Sequence, residues 1–142
     1  MPPHEADLGT AELEVLKALW TEGPSTVREV MNHLHARDRK VAYTTVLTFL
    51  TRLESKGFVK SDRSEVAYRY APTVSRERVS RSRLRSLLEE LYDGAAAPLV
   101  LQLVRDERFS PEEIAQLQVH IDALENRAKT KRRPAAKRRG RA

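Results

Sequence analysis

The chain has 142 residues, of which 40% are hydrophobic and 32% are charged. This is typical of one compact domain, or two very small ones, with a strongly solvated surface. The sequence contains no cysteine, which excludes disulfides, thiolate metal sites and cysteine nucleophiles. No apolar run approaches the roughly 18 residues of a membrane span, and no cationic start followed by an apolar core marks a secretory signal. We therefore expect a cytoplasmic protein without membrane insertion.

The net charge of +6 comes from the C-terminal end of the chain. Residues 129–142 contain eight Lys or Arg and no acid. Subtracting these eight from the 26 basic residues leaves 18 against 20 acidic residues, so the rest of the chain has a net charge of −2. We expect residues 129–142 to be a disordered basic tail that binds phosphates regardless of sequence. Evidence for specific nucleic-acid binding must therefore come from the arrangement of side chains in the folded part.

Two amphipathic helices are predicted in the first 36 residues. The first has Thr10 as its expected N-cap and ends at "EGP", residues 22–24; its apolar stripe comprises Leu13, Val15, Leu16, Leu19 and Trp20. The second begins at the capping-box spacing T-x-x-E of Thr26 and Glu29. Its apolar positions follow the i, i+3, i+4, i+7 pattern and comprise Val27, Val30, Met31 and Leu34. A polar turn, "HARDRK", follows.

The next segment, residues 42–56, contains four threonines in an otherwise apolar run. At about 100° per residue, helical geometry gathers five polar side chains within about 80° of Thr45: Thr45, Thr48, Arg52, Ser55 and Lys56. Thr44 and Thr51 lie just beyond this arc. The opposite arc comprises Tyr43, Val46, Leu50 and Leu53. A strand would mix polar and apolar residues on one face, so the segment is predicted to be a helix.

The exposed face of this helix carries hydroxyls, one Arg and one Lys, but no carboxylate. An ordinary solvated helix mixes Glu with Lys and avoids β-branched residues. In a DNA major groove, threonine hydroxyls can reach base edges or phosphates, threonine methyls can pack on thymine, and Arg can pair with guanine. The alternative is a polar face that arose by chance. With the preceding helix and turn, the pattern predicts a helix-turn-helix whose second helix reads DNA.

A β-hairpin is predicted directly after Gly57, a natural helix C-cap. "FVKS" and "VAYRYA" are strand-like, since apolar and polar residues alternate in the second. "DRSE", residues 62–65, forms the predicted tip, and Pro72 ends the pair. A helix-turn-helix followed by a hairpin predicts a winged helix, with Arg63 at the tip of the wing. Arg63 and Arg69 either contact DNA or are ordinary solvated charges.

Three more helical segments are predicted from Ser75 onward. One carries a leucine stripe, the second is "AAAPLVLQLV", and the third begins at "SPEE", where Ser110 is the N-cap and Pro111 the first helical residue. Their apolar faces exceed what a short C-terminal region can bury alone, so we expect a homodimer; the alternative is packing on the N-terminal domain. The expected interface residues are Leu84, Leu87, Leu88, Leu91, Leu99, Val100, Leu103, Ile114, Leu117, Ile121 and Leu124.

The predicted fold is therefore mostly α with a small β-hairpin wing. We expect a winged-helix DNA-binding domain at 1–73, a helical dimerisation domain at 74–128 and the basic tail at 129–142. A two-fold dimer would bind double-stranded DNA at a palindromic operator. The candidate DNA-contacting residues are Arg37, Arg39, Lys40, Tyr43, Thr44, Thr45, Thr48, Arg52, Arg63 and Arg69.

Four stretches in this order resemble the penicillinase-repressor (BlaI/MecI) family of bacterial transcriptional repressors: "LGTAELEVLKALW", "STVREVMNHL", "AYTTVLTFLTRLESKGFV" and "YRYAP". The resemblance runs over roughly 8–125 and implies a winged helix followed by a helical dimerisation region. It also implies repression of resistance genes from palindromic operators, with release when a membrane sensor protease triggers cleavage. Thr45 and Thr48 match family positions that face DNA. Arg52 matches a family Arg that either contacts DNA or supports the fold.

The sequence departs from the family at two points. Where the family has its Asn-Phe cleavage bond, this chain has Gln102-Leu103, which puts induction by the same protease in doubt. The cysteine cluster of the copper-responsive branch is missing, so copper sensing by that route is not expected.

Two other functional classes compete with a specific repressor. An enzyme is not expected, because the four histidines form no catalytic or metal-binding spacing and no hydrolase or phosphate-loop motif is present. We expect no cofactor and no metal. The remaining alternative is a non-specific or architectural DNA-binding protein driven by the basic tail. In either case the expected location is the cytoplasm, in association with the nucleoid.

Overall fold

The computed structural model describes residues 8–141, and the side chains from residue 132 onward lie outside the described part. Six helices and one hairpin follow each other along the chain: α1 (Thr10–Glu22), α2 (Val27–Ala36), α3 (Tyr43–Ser55), β1 (Val59–Asp62), β2 (Arg69–Pro72), α4 (Arg76–Tyr92), α5 (Ala96–Asp106) and α6 (Pro111–Arg141). The chain divides into two compact units, one up to residue 95 and one from residue 96. The predicted fold class, mostly α with a hairpin wing, is confirmed.

The hydrophobic core of the first unit lies between α1, α2, α3 and the base of the wing. Its fully buried side chains come from all of these elements and include Leu16, Leu19, Val30, Val46, Leu50, Leu53 and Phe58. Burying the apolar side of α3 fixes the rotation of this helix about its axis, because any other rotation would expose leucines to water. The opposite side of α3 must then face solvent.

The wing is a two-stranded antiparallel sheet in which Val59 pairs with Pro72 and Asp62 with Arg69. The predicted second strand began at Val66, but the observed strand begins at Arg69, and Val66 is fully exposed in the loop. Apolar alternation cannot reveal how far two strands stay in register, and the Asp62 carboxylate accepts from the Ser64 amide at 3.0 Å, which closes a turn early. A further bridge joins the wing to the α1–α2 connection, since Ser25 and Tyr70 exchange backbone hydrogen bonds of 3.0 and 2.8 Å.

The helix caps follow the sequence signals closely, with one correction. The capping box of α2 is confirmed: Thr26 Oγ1 accepts from the Glu29 amide at 3.2 Å, and the Glu29 carboxylate accepts from the Thr26 amide at 2.9 Å. The N-cap of α1 is Gly9, not Thr10, because the Glu12 side chain accepts from the Gly9 amide at 2.9 Å. The Glu12 side chain, three residues after Gly9, thus provides the acceptor at the helix N-terminus where Thr10 was expected to be the cap.

Helix α4 belongs to the first compact unit, which extends to residue 95, whereas the expected domain boundary lies after residue 73. Ser75 caps the helix by accepting from the Arg78 amide at 3.1 Å. Val79 is buried in the core, and Trp20 of α1 donates from Nε1 to the Val74 carbonyl at 2.9 Å, just before α4 begins. These contacts hold the start of α4 against the winged helix.

The second unit consists of α5 and α6. The expected box at the start of α6 is confirmed, with Ser110 and Glu113 exchanging side-chain-to-backbone hydrogen bonds of 2.8 and 3.1 Å. Helix α6 extends to Arg141 and so includes most of the segment for which the sequence predicted a disordered tail; its Lys, Arg and Ala residues are good helix formers. Within the described residues, no helix is both long and apolar enough to span a membrane.

Candidate nucleic-acid interface

Helix α3 presents most of the polar face that its sequence predicted. The exceptions are Lys56, which pairs with Glu12, and Tyr43, which was predicted on the apolar arc but is 43% exposed. Val46, Leu50 and Leu53 are completely buried, while the side chains on the other side of the helix are exposed: Thr44, Thr45, Thr48, Thr51, Arg52 and Ser55. Glu54, the acid of this helix, is half-buried and turned toward the wing. The exposed face therefore combines hydroxyls and positive charge with no carboxylate. Contact between these side chains and DNA remains a prediction.

The threonine hydroxyls of α3 differ in the hydrogen bonds that they can still form with a partner. Thr48 Oγ1 donates to the Thr44 carbonyl at 2.9 Å, and Thr51 Oγ1 donates to the Leu47 carbonyl at 2.8 Å. Their protons are therefore occupied, which leaves their oxygens as acceptors and their methyl groups as apolar contacts. Thr45 Oγ1 has no hydrogen-bond partner among residues 8–131, so it can both donate and accept. The sequence could not separate these roles.

The turn between α2 and α3 is held by side chains as well as by backbone. Asp38 adopts a left-handed conformation with φ of 61°, and the His35 Nε2 lies 2.7 Å from the Val41 carbonyl across the turn. Arg37, Arg39 and Lys40 are all exposed here. Arg39 lies 3.7 Å from the Glu14 carboxylate, yet 61% of its side chain remains exposed. The turn thus presents a short basic edge next to α3.

Arg63 and Arg69, which were both predicted to contact DNA, interact with carboxylates of their own chain. Arg63 donates to Ser61 Oγ at 3.1 Å, lies 3.5 Å from Glu54 and stacks over the Tyr68 ring at 5.1 Å. The Ser61 hydroxyl and amide and the Arg63 charge together outweigh burial and lower the pKa of Glu54. The wing is therefore tied back to α3.

Arg69 pairs with Glu29 of α2, its Nη1 lying 3.1 Å from the carboxylate. The Thr26 amide and hydroxyl, with Arg69, hold the pKa of Glu29 below its ordinary value despite some loss of hydration. Glu29 is thus ionised at neutral pH and its charge is balanced by Arg69. This arginine has a structural partner whether or not it also meets DNA.

A buried ion pair that the sequence analysis missed joins α1 to the end of α3. Glu12 Oε1 accepts from Lys56 Nζ at 2.8 Å as well as from the Gly9 amide. The Glu12 side chain is only 6% exposed, and its Oε2 has no hydrogen-bond partner. Burial opposes ionisation, but Lys56, the Gly9 amide and Arg52 outweigh it and lower the pKa of Glu12. The i, i+3 spacing from Gly9 was the available sequence signal.

The residues expected at a dimer interface lie on α4, α5 and α6. Leu88 is buried within the single chain and has little surface to offer a partner, and Leu99 is half-buried. The exposed members are Leu84, Leu87, Leu91, Val100, Leu103, Ile114, Leu117, Ile121 and Leu124. The Gln102–Leu103 bond lies in the middle of α5, with both residues exposed.

A family model described as penicillinase repressor matches residues 8–123. The transcriptional regulator BlaI of Mycobacterium tuberculosis is 38% identical over 95 residues, which cover 66% of this chain and 68% of that protein. The penicillinase repressor of Staphylococcus aureus is 25% identical over 117 residues, covering 82% of this chain and 92% of that protein.

Among solved structures, the transcriptional regulator Tm0710 of Thermotoga maritima matches with a TM-score of 0.50 at 19% identity, covering 89% of this chain and 80% of that chain. At this identity the likeness supports the fold alone. The family model describes a repressor rather than an enzyme. The chain belongs to the penicillinase-repressor family of DNA-binding transcriptional repressors.

Proposed function

We propose that this protein is a sequence-specific repressor that binds a palindromic operator as a homodimer. The observation that carries the proposal is the acid-free face of α3, which is held outward by the burial of Val46, Leu50 and Leu53 behind it. Thr45 and Thr48 lie at its centre and would meet base edges, while the basic turn before the helix would meet phosphates. Such a protein would act in the cytoplasm, at the nucleoid.

The proposed dimer is supported by the apolar side chains that α4, α5 and α6 leave in water. Leu91 is 66% exposed, Leu101 55% and Leu124 57%, and a run of such residues is unusual on a monomer surface. A second copy of the chain is the partner that a two-fold DNA site requires, since each winged helix reads one half-site. Sedimentation as a monomer at micromolar concentration, unchanged on dilution, would contradict the dimer.

We infer that the regulated genes confer resistance to β-lactam antibiotics, because the relatives named above include a penicillinase repressor. Derepression would follow cleavage of α5 at Gln102–Leu103, after activation of a membrane sensor protease, and would require that the cleaving enzyme accept Gln-Leu in place of the family's Asn-Phe. That bond is helical here, and proteases bind extended chain, so the helix would have to open first. In the single chain, α5 has no buried residue to resist opening, so cleavage would be favoured before dimerisation or after the dimer separates.

Genome-wide selection of bound DNA fragments tests the repressor proposal directly. We expect a palindromic consensus next to a small number of genes, with an affinity well above that for random DNA. The Thr45→Ala, Thr48→Ala double variant should lose preference for this consensus more than it loses affinity for random DNA. If wild-type protein enriches no sequence, the alternative holds, namely non-specific binding driven by the basic tail.

A further inference from the structure

A groove of about 490 Å³ lies between the N-terminus of α2, the start of α3 and the wing. Its apolar wall is formed by Tyr43 and Leu47 of α3, which are 43% and 38% exposed, and by Tyr68 of the wing, which is 43% exposed. Tyr70 is buried and forms part of the floor, and Val66 projects fully exposed at the mouth. On α3, Leu47 is one turn from Thr44 and Thr51, so the groove borders the threonine face.

The groove offers positive charge and no open carboxylate. The Arg28 guanidinium lies 5.6 Å above the Tyr43 ring and has no acidic partner within residues 8–131. None of the residues that line the groove is acidic. Glu29, next to Arg28 in sequence, is engaged by the Thr26 amide and by Arg69, while Glu65, next to Val66, is exposed outside the lining. An occupant of this groove must therefore combine negative charge with flat, partly apolar surface.

We propose that this groove holds one sugar–phosphate strand of the operator, with Arg28 binding a phosphate and the Tyr43–Leu47 wall contacting the adjoining deoxyribose. This inference rests on the proposed function. A helix in the major groove has a DNA strand along each flank, and Tyr43 and Leu47 lie on the flank of α3 that turns toward the wing. The phosphates supply the negative charge and the sugars supply the apolar surface.

Arg28 is suited to this role because it is already oriented. Stacking on Tyr43 restricts the guanidinium, so less side-chain entropy is lost when it forms a forked hydrogen bond to phosphate. Arg69 acts indirectly: by pairing with Glu29, it prevents an uncompensated carboxylate from repelling the strand. Arg28 and Leu47 were not among the residues predicted to contact DNA, because the groove that they line forms only where α2, α3 and the wing meet.

The test uses the operator fragment obtained from the genomic selection and compares Arg28→Gln with Arg81→Gln, which removes the same charge from an exposed position on α4. We expect Arg28→Gln to weaken operator binding roughly three- to tenfold per half-site. It should reduce the slope of log K against log salt by about 2, because the dimer loses one phosphate contact in each half-site. Arg81→Gln should change neither quantity. Equal effects of the two variants would overturn the proposal.

A scan of single neutral methylphosphonates along each operator strand locates the contact. At one phosphate per half-site, the substitution should weaken wild-type binding but cause no further loss in Arg28→Gln. Additive losses at every phosphate would overturn the assignment. If instead no fragment is selected at all, the proposed function fails; if an operator is found and Arg28→Gln is silent, only this inference fails.

A compensation experiment tests the role of Arg69. Arg69→Gln should weaken operator binding, and adding Glu29→Gln should restore most of the loss, because Gln can still form the capping box of α2 but carries no charge. Thermal unfolding of each variant within a few degrees of wild type shows that the fold is kept. If the double variant binds as weakly as Arg69→Gln, Arg69 contacts DNA directly and the screening role is refuted.

Discussion

The two partners of the Glu12–Lys56 pair should contribute unequally to stability, so that removing the lysine lowers the free energy of unfolding more than removing the carboxylate. The Lys56 side chain is 34% exposed and can turn toward water, whereas that of Glu12 is 6% exposed and cannot. In Lys56→Met the Glu12 charge stays buried with the Gly9 amide as its remaining close donor. We expect a loss of about 1–3 kcal/mol in the free energy of unfolding, below the several kcal/mol of a fully enclosed pair. Glu12→Gln should cost less than about 1 kcal/mol.

The stability difference between wild type and Lys56→Met should also depend on pH. The pKa of Glu12 in the folded protein lies below its ordinary value of 4.5. The pair therefore stabilises the wild type fully above that value, and the stabilisation is lost as the pH falls through the folded-state pKa. In Lys56→Met, protonation at low pH removes the buried charge. Urea unfolding at one fixed protein concentration should show a lower free energy of unfolding for Lys56→Met than for wild type at pH 7, and a smaller difference near pH 4. A larger loss in Glu12→Gln, or a gap that widens in acid, would refute the reasoning.

Three further effects follow from the fold and the tail, and each can be measured with purified variants. Thr26→Ala removes the N-cap of α2 and should lower the free energy of unfolding in urea by about 1 kcal/mol. The control Thr21→Ala, at an exposed position, should stay within about 0.5 kcal/mol of wild type. Equal losses in the two variants would contradict the role of Thr26 as a cap. Gly94→Ala forces a Cβ onto a residue with φ of 84°, 3.2 Å from Glu89 Oε1, and should cost about 1–2 kcal/mol, so an unchanged unfolding midpoint would be inconsistent with this conformation. Deleting residues 129–142 should weaken all DNA binding and flatten its salt dependence while keeping operator preference; loss of the preference in a binding titration would mean that the tail reads sequence.

Periodicity and capping signals were sufficient to predict the fold, because both depend on neighbours three or four residues away. Helix α3 is the clearest case: its buried and exposed arcs follow from the positions of Val46, Leu50 and Leu53 alone. The start of β2 was not predictable, since strand pairing depends on the register of two segments. The prediction of Thr10 as the N-cap of α1 was wrong for a local reason, because the Glu12 side chain accepts from the Gly9 amide and makes Gly9 the N-cap.

The candidate site was predictable as a surface but not as a set of interactions. The sequence indicated that arginines lie near the wing, yet their partners come from distant positions: Arg69 contacts Glu29, forty residues earlier. The two donor hydrogen bonds of Thr48 and Thr51 depend on side-chain rotamers, which sequence periodicity does not specify. The groove beside Arg28 requires three separate elements to meet, so no single stretch of sequence could reveal it.

The β-bridge between Ser25 and Tyr70 makes the root of the wing more rigid than its tip. An isolated two-stranded hairpin is marginally stable in water, but here the Tyr70 backbone is fastened on a second side and its ring is buried. The root of the wing should therefore exchange its amide hydrogens as slowly as the core, while residues 63–68 exchange quickly. The wing root should therefore keep a fixed distance from α3, and the Arg63–Glu54 contact should limit how far the more mobile tip can move from that helix.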